Sequence, residues 1–565
     1  MHELYTRIRE KLDALYGADH AAAAFDQIVA LTGADHQPPP RRFALSERDA
    51  ILICYGDHVR RAGSTPLATL GDFLRQTVAG VMSTVHILPF YPYSSDDGFS
   101  VIDYEQVDPA LGDWADVRAL GGDFRLMFDS VFNHISQHSA WFQAYLRGEA
   151  PYSEYFTAVD PSVDLSLVRR PRALPLLTRF ETALGERHVW TTFSDDQIDL
   201  NAANPQVLVD LIRVLLFYVE QGADLIRLDA IAYLWKEIGT DCIHRPQTHM
   251  IVQLMRDVLD LVKPEVILIT ETNVPHIENV SYFGDGVNEA QMVYNFSLPP
   301  LVLHTFRTGS AEALSRWAST LARMSDQTTF FNFTASHDGI GVTPARGILA
   351  DQEVEALVQL ATDHGGHVSY KNNPDGSRSP YELNITYFDA ITHPDLTARD
   401  PDTAVRRFLC SQAIMLALMG VPGIYFQNLF GQRNWPAGVE QTGRYRTINR
   451  QKFDAEALLT LLADEANLSA RVHRGFKHLL AQRIQQPAFH PLGGQTIHAL
   501  HPAVFAVERT APAGGGPVLA LHHVGAAPLA LSVPVQAADR WRDLVSGETF
   551  HAAGGQLALM LAPYQ

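Results

Sequence analysis

Short apolar runs, many of them β-branched, recur along this chain, separated by stretches in which apolar positions return every three or four residues. The runs are Ile51–Tyr55, Thr84–Leu88, Arg125–Val131, Asp224–Ala230, Val266–Thr270, Met292–Phe296, Thr329–Ala335 and Gly423–Gln427. Short apolar runs predict strands, and a period near 3.6 predicts amphipathic helices. Helix-like stretches include Pro205–Gln221, Thr248–Val262, Ser310–Met324 and Thr403–Met419; a helical N-terminal segment precedes a loop at Pro38–Pro40. Eight strands punctuated by helices predict an α/β fold, a closed parallel (β/α)8 TIM barrel. An open doubly wound sheet competes with it, but no Gly-rich phosphate fingerprint follows the first strand.

Two gaps exceed the usual strand–helix loop of about 2–6 residues. One runs from Ile135 to Asn204 and contains RRPRALPLL; the other runs from Gly341 to about Asp402 and contains KNNPDGSRSPYE. Insertions after strands three and seven fall on the C-terminal face of a barrel, where active sites form. Beyond Arg483 the runs shorten (Val504–Glu508, Val518–His522, Leu557–Leu561) and Gly-rich punctuation appears at 514–516, which predicts a small all-β region. The expected division is residues 1–134 for the N-terminal segment and first part of the barrel, and 135–204 for the first insertion. Then follow 205–340 for more barrel, 341–402 for the second insertion, 403–482 for the end of the barrel and 483–565 for the C-terminal β domain.

Composition adds constraints. The chain has 565 residues, 46% hydrophobic and 19% charged, the balance of a globular protein with a large core. No apolar run reaches membrane-spanning length, and Met1–Leu12 carries mixed charge without a signal-type apolar stretch, so a cytoplasmic protein is expected. Cys54, Cys242 and Cys410 are far apart, which predicts reduced, inert thiols and no zinc site. A net charge of −19 argues against nucleic acid or anionic membrane as a partner. An anionic substrate would require basic residues gathered locally against that field.

The predicted strand ends carry DSVFNH (129–134), RLDA (227–230), ITET (269–272) and ASHD (335–338). Asp229, Glu271 and Asp338 therefore converge at one end of the barrel. Glycoside chemistry needs such a set: one carboxylate to attack the anomeric carbon, one to protonate the departing oxygen, and one to stabilise the oxocarbenium-like transition state. Each acid alone has a plainer explanation, as an ion pair with Arg227 or as a turn cap. Three together, at the ends of the fourth, fifth and seventh strands with Arg227 and two histidines nearby, do not.

These motifs resemble the family 13 glycoside hydrolases, the α-amylase superfamily, and specifically its sucrose-phosphorylase branch. The similar stretches include HILPFYPYSSDDGFSVIDY (86–104), RPRALPLLTRF (170–180), TTFSDDQIDL (191–200), RLDAIAYLWKE (227–237), SLPPLVLH (297–304), HDGIGV (337–342) and GQRNW (431–435). WTTFSDDQIDLN, ITETNVPH and KNNPDGSRSPYE are similar to the subgroup that phosphorolyses glucosylglycerate. The resemblance implies a retaining glucosyl transfer to inorganic phosphate; no cofactor is expected, since side chains carry both displacements, and no acidic cage in the insertion is clear enough to hold the structural calcium that many amylases bind. Asp229 would be the nucleophile, Glu271 the acid/base and Asp338 the transition-state stabiliser. Arg227 would orient Asp229 and keep it ionised, because a nearby cation lowers a carboxylate's pKa, whereas Glu271 would hold its proton through a pKa raised by burial. His134 and His337 would bond glucose hydroxyls, Asp96 and Arg433 would grip the far edge of the ring, and Phe99 and Phe193 would wall it. Gln197 and Tyr233 complete the implied sugar contacts. Arg172 and Tyr381 would meet phosphate, while Arg378 and Glu382, with Lys371 close in sequence, would face the acceptor. The alternatives are phosphorolysis of sucrose, sucrose 6′-phosphate or glucosylglycerol, and after these an α-glucoside hydrolase.

Overall fold

The eight runs form the strands β1 (Ile51–Cys54), β2 (Thr84–Ile87), β3 (Arg125–Ser130), β4 (Ala223–Leu228), β5 (Ile267–Thr270), β6 (Met292–Tyr294), β7 (Thr329–Phe333) and β8 (Val421–Tyr425). The computed structural model describes residues 2–33, 41, 43–172, 174–373, 376–536 and 540–565; the loop read at Pro38–Pro40 lies outside them. Each strand pairs in parallel with its neighbour in sequence, and Ile51 opposite Gly423 closes the barrel. β1, β2, β5 and β8 are buried at every position, because helices cover the outer face while side chains fill the interior. Gly423 has no substitute there: a Cβ would lie 2.3 Å from the Phe331 ring.

The helices begin where the sequence supplies caps. Thr65 accepts the Ala68 N–H ahead of Pro66, and Asn204 accepts the Gln206 N–H ahead of Pro205. The helices Pro205–Glu220, Pro246–Val262 and Pro401–Ala417 bury apolar faces against the barrel. The helix expected over Ser310–Met324 is confined to Glu312–Ala318. Its end turns tightly, with the Thr320 hydroxyl bonded to the Trp317 carbonyl at 2.7 Å.

Both long gaps fold back on themselves. In the first, His134–Ser136 pairs antiparallel with Gln197–Asp199 at the base of a hairpin, Leu177–Thr182 with Gly185–Trp190. In the second, Ile340–Gly341, Arg378–Asn384 and His367–Asn372 form a three-stranded sheet beside the helix Asp351–Asp363. After the helix Leu468–Arg483 the chain is strand-rich, with Gly494–His501, Val504–Thr510 and Val518–His523 in one sheet. Leu529–Pro534 pairs with Gln556–Leu561 in another. Among the described residues no helix is long and apolar enough to cross a membrane. All three cysteines are buried and free.

Candidate active site

The ends of β3, β4, β5 and β7 meet at one mouth of the barrel. Asp229 and Glu271 each stand one residue beyond a strand, and their N–H groups extend the ladders to Ser130 and Leu228 carbonyls at 3.2 and 3.1 Å. The backbone then turns sharply at Ala230, with φ of 47°. A left-handed alanine stores about 1 kcal/mol or more of strain. In return its N–H is aimed at the Glu271 Oε2, 3.1 Å away. The turn after β4 thus fixes two catalytic-type carboxylates at once.

Arg227 lies beneath them, 2% exposed. Its Nη1 donates to Asp229 Oδ1 at 2.7 Å and also to Asp129, while Nη2 stands 3.8 Å from Glu271 Oε2. Asp129 is shared with His86, whose Nε2 is 2.7 Å from its second oxygen. Burial pushes the Glu271 carboxyl up to about 7, helped by the negative charges of Asp229 and Asp338 and opposed by Arg227. Burial also raises Asp229, with Arg227 and then His134 pulling it back. Arg227 thus lowers the Asp229 pKa as expected, but desolvation outweighs the ion pair and the net direction is up. Asp338 behaves differently. Burial raises it too, but Arg446, His337, Arg450 and Arg227 together hold it far below the carboxylate range. One acid that keeps its proton near neutrality beside one that never does is the division glycosyl transfer requires.

Two walls flank these acids. Phe99 and His337 stack at 4.6 Å with planes 5° apart, and the Arg227 guanidinium lies 5.6 Å from the Phe99 ring. Phe193 meets Tyr233 edge-on at 5.5 Å, and Arg172 lies 5.6 Å from the Phe193 ring. His134 is bonded through Nε2 to the Phe99 carbonyl at 2.9 Å and lies 3.1 Å from Gln197 Nε2. Burial holds His337 down to about 3, so its imidazole is neutral.

Above the acids opens a cavity of about 380 Å³. Asp96, Arg172, Tyr381 and Glu382 line it, as do Arg444, Arg446 and Arg450. Arg172 Nη2 bonds Asp96 Oδ2 at 3.0 Å. Asp96 and Asp97 both adopt positive φ, 53° and 51°, a conformation aspartate tolerates better than most residues. Of the two residues expected to grip the far edge of the ring, Asp96 lines this cavity and Arg433 does not. Arg433 is bound to Asp389, outside this lining, because Asp389 is buried in a neighbouring helix and needs a cation. Arg378 is likewise exposed at the start of its strand and does not line the cavity. Lys371 is half-buried and also outside the lining.

Arg446 and Arg450 take the places that reading by strand ends could not assign. Arg446 Nη1 is 2.6 Å from Asp338 Oδ1, and its Nε and Nη2 grip Glu382 at 3.0 and 2.5 Å. Arg450 donates to the His337 carbonyl at 2.8 Å, pairs with Asp97 and stands 3.8 Å from Asp338. Both sit on or just after the short turn Tyr445–Asn449, far beyond β8. The sequence signal was compositional: Arg444, Arg446 and Arg450 within seven residues of a chain of net charge −19. Among the described residues no group of three or more His, Cys, Asp or Glu is arranged to hold a metal ion.

A closed barrel with Asp229, Glu271 and Asp338 at one mouth defines an α-amylase-type catalytic domain, and the α-amylase catalytic-domain family matches residues 76–352. The chain is 47% identical to the glucosylglycerate phosphorylase of Spirochaeta thermophila, with 99% of each chain covered. It is 52% identical to the glucosylglycerate phosphorylase of Allomeiothermus silvanus over 88% of each. In fold it matches the crystal structure of sucrose 6F-phosphate phosphorylase from Thermoanaerobacter thermosaccharolyticum, with a TM-score of 0.74, 23% identity, and 90% of this chain and 98% of that chain covered. The chain belongs to the family 13 glycoside hydrolases, in the branch that holds the sucrose and glucosylglycerate phosphorylases.

Proposed function

We propose that this enzyme phosphorolyses 2-O-α-glucosyl-glycerate, giving α-glucose 1-phosphate and D-glycerate by two displacements at the anomeric carbon. The carrying observation is the likeness, at 47% over the whole chain, to a glucosylglycerate phosphorylase. In the first displacement Asp229 attacks the anomeric carbon, and Glu271 gives its proton to the glycerate oxygen as that bond breaks. Asp338 stabilises the positive charge that develops on the ring. His134 and His337, both neutral, bond sugar hydroxyls, and Phe99 and Phe193 pack the ring faces. In the second displacement phosphate attacks the glucosyl ester, and Asp229 leaves as a carboxylate.

The arginine-rich cavity supports two steps with anions at the same place. Arg172, Arg444, Arg446 and Arg450 line it against Asp96 and Glu382, although the whole chain carries −19. Arginine's planar fork suits carboxylate and phosphate alike. No cofactor enters this scheme; inorganic phosphate is the co-substrate. A cytoplasmic site of action accords with three free thiols kept reduced.

The deciding experiment follows phosphate release from α-glucose 1-phosphate with D-glycerate, glycerol, fructose, fructose 6-phosphate or water alone. The expected result is release that depends on glycerate. Release with water alone would make the protein a hydrolase, and preference for another acceptor would overturn the substrate while leaving the mechanism standing.

A further inference from the structure

Of the stretch RRPR (169–172), the chemistry above uses the last residue alone. Among the described residues no helix or strand runs through 168–172, so Arg172 is carried on backbone with no ladder of its own. The stretch leaves a small apolar core at Val168, where Val159, Leu176, Trp190 and Cys242 pack with it. Its one backbone hydrogen bond to another segment, among the described residues, runs from the Arg169 N–H to the Asp241 carbonyl at 3.0 Å. Asp241 and Cys242 belong to the loop after β4, so that loop is already built into the first insertion.

The Arg169 side chain ties the stretch a second time. Its Nη1 donates to Glu278 Oε2 at 2.7 Å, and Nη2 stands 4.0 Å from Asp241 Oδ2. Glu278 lies on the short helix His276–Asn279, seven residues beyond Glu271. The same Oε2 is 3.2 Å from His244 Nε2, and His244 meets the Tyr282 hydroxyl through Nδ1 at 3.0 Å. His244 comes from the loop after β4, where its N–H donates to the Ala232 carbonyl at 3.0 Å and its φ is 51°. One carboxylate oxygen therefore joins the first insertion, the loop after β4 and the helix after β5. Three residues on from Arg169, Arg172 reaches the other way, past the Phe193 ring to Asp96 at 3.0 Å. The Arg169 and Glu278 side chains are 43% and 30% exposed, and an ion pair in that much water contributes little to folding. Its effect falls on where a short stretch of chain lies.

We propose that Glu278 and Arg169 are positioning residues for the second displacement. Their pair fixes 169–172 against the ends of β4 and β5, and so places the Arg172 guanidinium where phosphate approaches the glucosyl ester. Neither residue lines the cavity, so both act through Arg172. This inference rests on the phosphorolysis reading above, with Arg172 as a phosphate contact.

The test uses α-glucosyl fluoride as donor and phosphate as acceptor, with Glu278→Ala, Arg172→Ala and the pair E278A/R172A. In a double displacement, kcat/KM for the fluoride reports the first half and kcat/KM for phosphate the second. Glu278→Ala should lower kcat/KM for phosphate by about five- to tenfold and leave that for the fluoride within about twofold. The sign is diagnostic. Removing a carboxylate near an anion site would by charge alone favour phosphate, whereas misplacing Arg172 disfavours it. E278A/R172A should be no worse with phosphate than Arg172→Ala, because nothing is left to position. Three results would each overturn the assignment: a phosphate kcat/KM in Glu278→Ala within about twofold of wild type or above it, equal falls for both substrates, or full additivity in the pair. An Arg172→Ala enzyme with wild-type phosphate kinetics would overturn it too. Wild-type turnover of the fluoride that does not depend on phosphate would instead overturn the phosphorolysis reading itself.

Discussion

Glu271 shows most clearly how a single side chain's surroundings set its chemistry. Its carboxyl is held at about 7, against an ordinary 4.5, by burial first and by neighbouring negative charge second. In its proposed role of general acid it must carry a proton, so kcat/KM for glucosylglycerate phosphorolysis should fall as pH rises through about 7. With α-glucosyl fluoride, whose departure needs little protonation, that limb should vanish. Glu271→Gln should slow the natural donor by about 10²–10⁴-fold and the fluoride far less; equal losses would refute the assignment. Stability follows the same proton. The folded state binds it more tightly than the unfolded chain, so this contribution is complete below about 4.5 and is lost as pH rises through about 7. Glu271→Gln should therefore raise Tm relative to wild type more at pH 8 than at pH 5, a comparison for calorimetry. Asp229→Ala should abolish transfer from every donor, and no glucosyl adduct should appear on the protein by mass spectrometry. All three acids were legible as letters at strand ends. The upward shift of Glu271 by burial was expected from its need to hold a proton, but the downward shift of Asp338 was not legible, because it depends on neighbours such as Arg446 that sequence distance hides.

At the scale of elements, the first insertion is pinned to the loop that carries Asp96. Asp196, from the insertion, accepts Ser94 Oγ at 2.6 Å and Ser100 Oγ at 2.9 Å, and Ser95 as well. These bonds set the Asp96–Gly98 turn against the Phe193 wall. Asp196→Ala removes the carboxylate that three hydroxyls share, although Ser100 keeps the residue 196 carbonyl at 2.7 Å and Ser94 keeps Ser136 Oγ at 2.5 Å. It should raise KM for donor and phosphate by about tenfold with a smaller effect on kcat, measured by steady-state kinetics. An unchanged KM would mean that the insertion holds its place without this joint. The gaps in the strand–helix rhythm were enough to predict both insertions at this mouth. Which of their residues enter the cavity was not predictable, since Arg378 and Glu382 lie four positions apart on one strand, one exposed and one buried.

At the scale of the whole molecule, two buried arginines join the end of the barrel to the strand-rich C-terminal region. Arg483 donates to the carbonyls of Leu416 and Glu47 at 3.1 and 2.6 Å, and Arg509 to those of Ala417 and His490 at 3.1 and 2.9 Å. Their partners are carbonyls, so each guanidinium satisfies backbone groups from separate segments at once. Arg509→Met should destabilise the fold by about 2–4 kcal/mol, read as a lower Tm, while kcat/KM of the remaining folded enzyme changes little. Large loss of activity without loss of Tm would mean that this joint acts on the site. The amino-acid sequence by itself determined the barrel, its two insertions, the strand-rich end and the three carboxylates. Each follows from local periodicity or from a residue's offset to a strand end, which neighbours in the chain set. Only the tertiary structure decided that Arg433 turns away to Asp389, that Arg172 bonds Asp96, and that Arg446 bridges Glu382 and Asp338. The last three pairings join residues 76, 64 and 108 positions apart. Charges choose partners by distance in space and by the desolvation each must offset, and neither quantity is written along the chain.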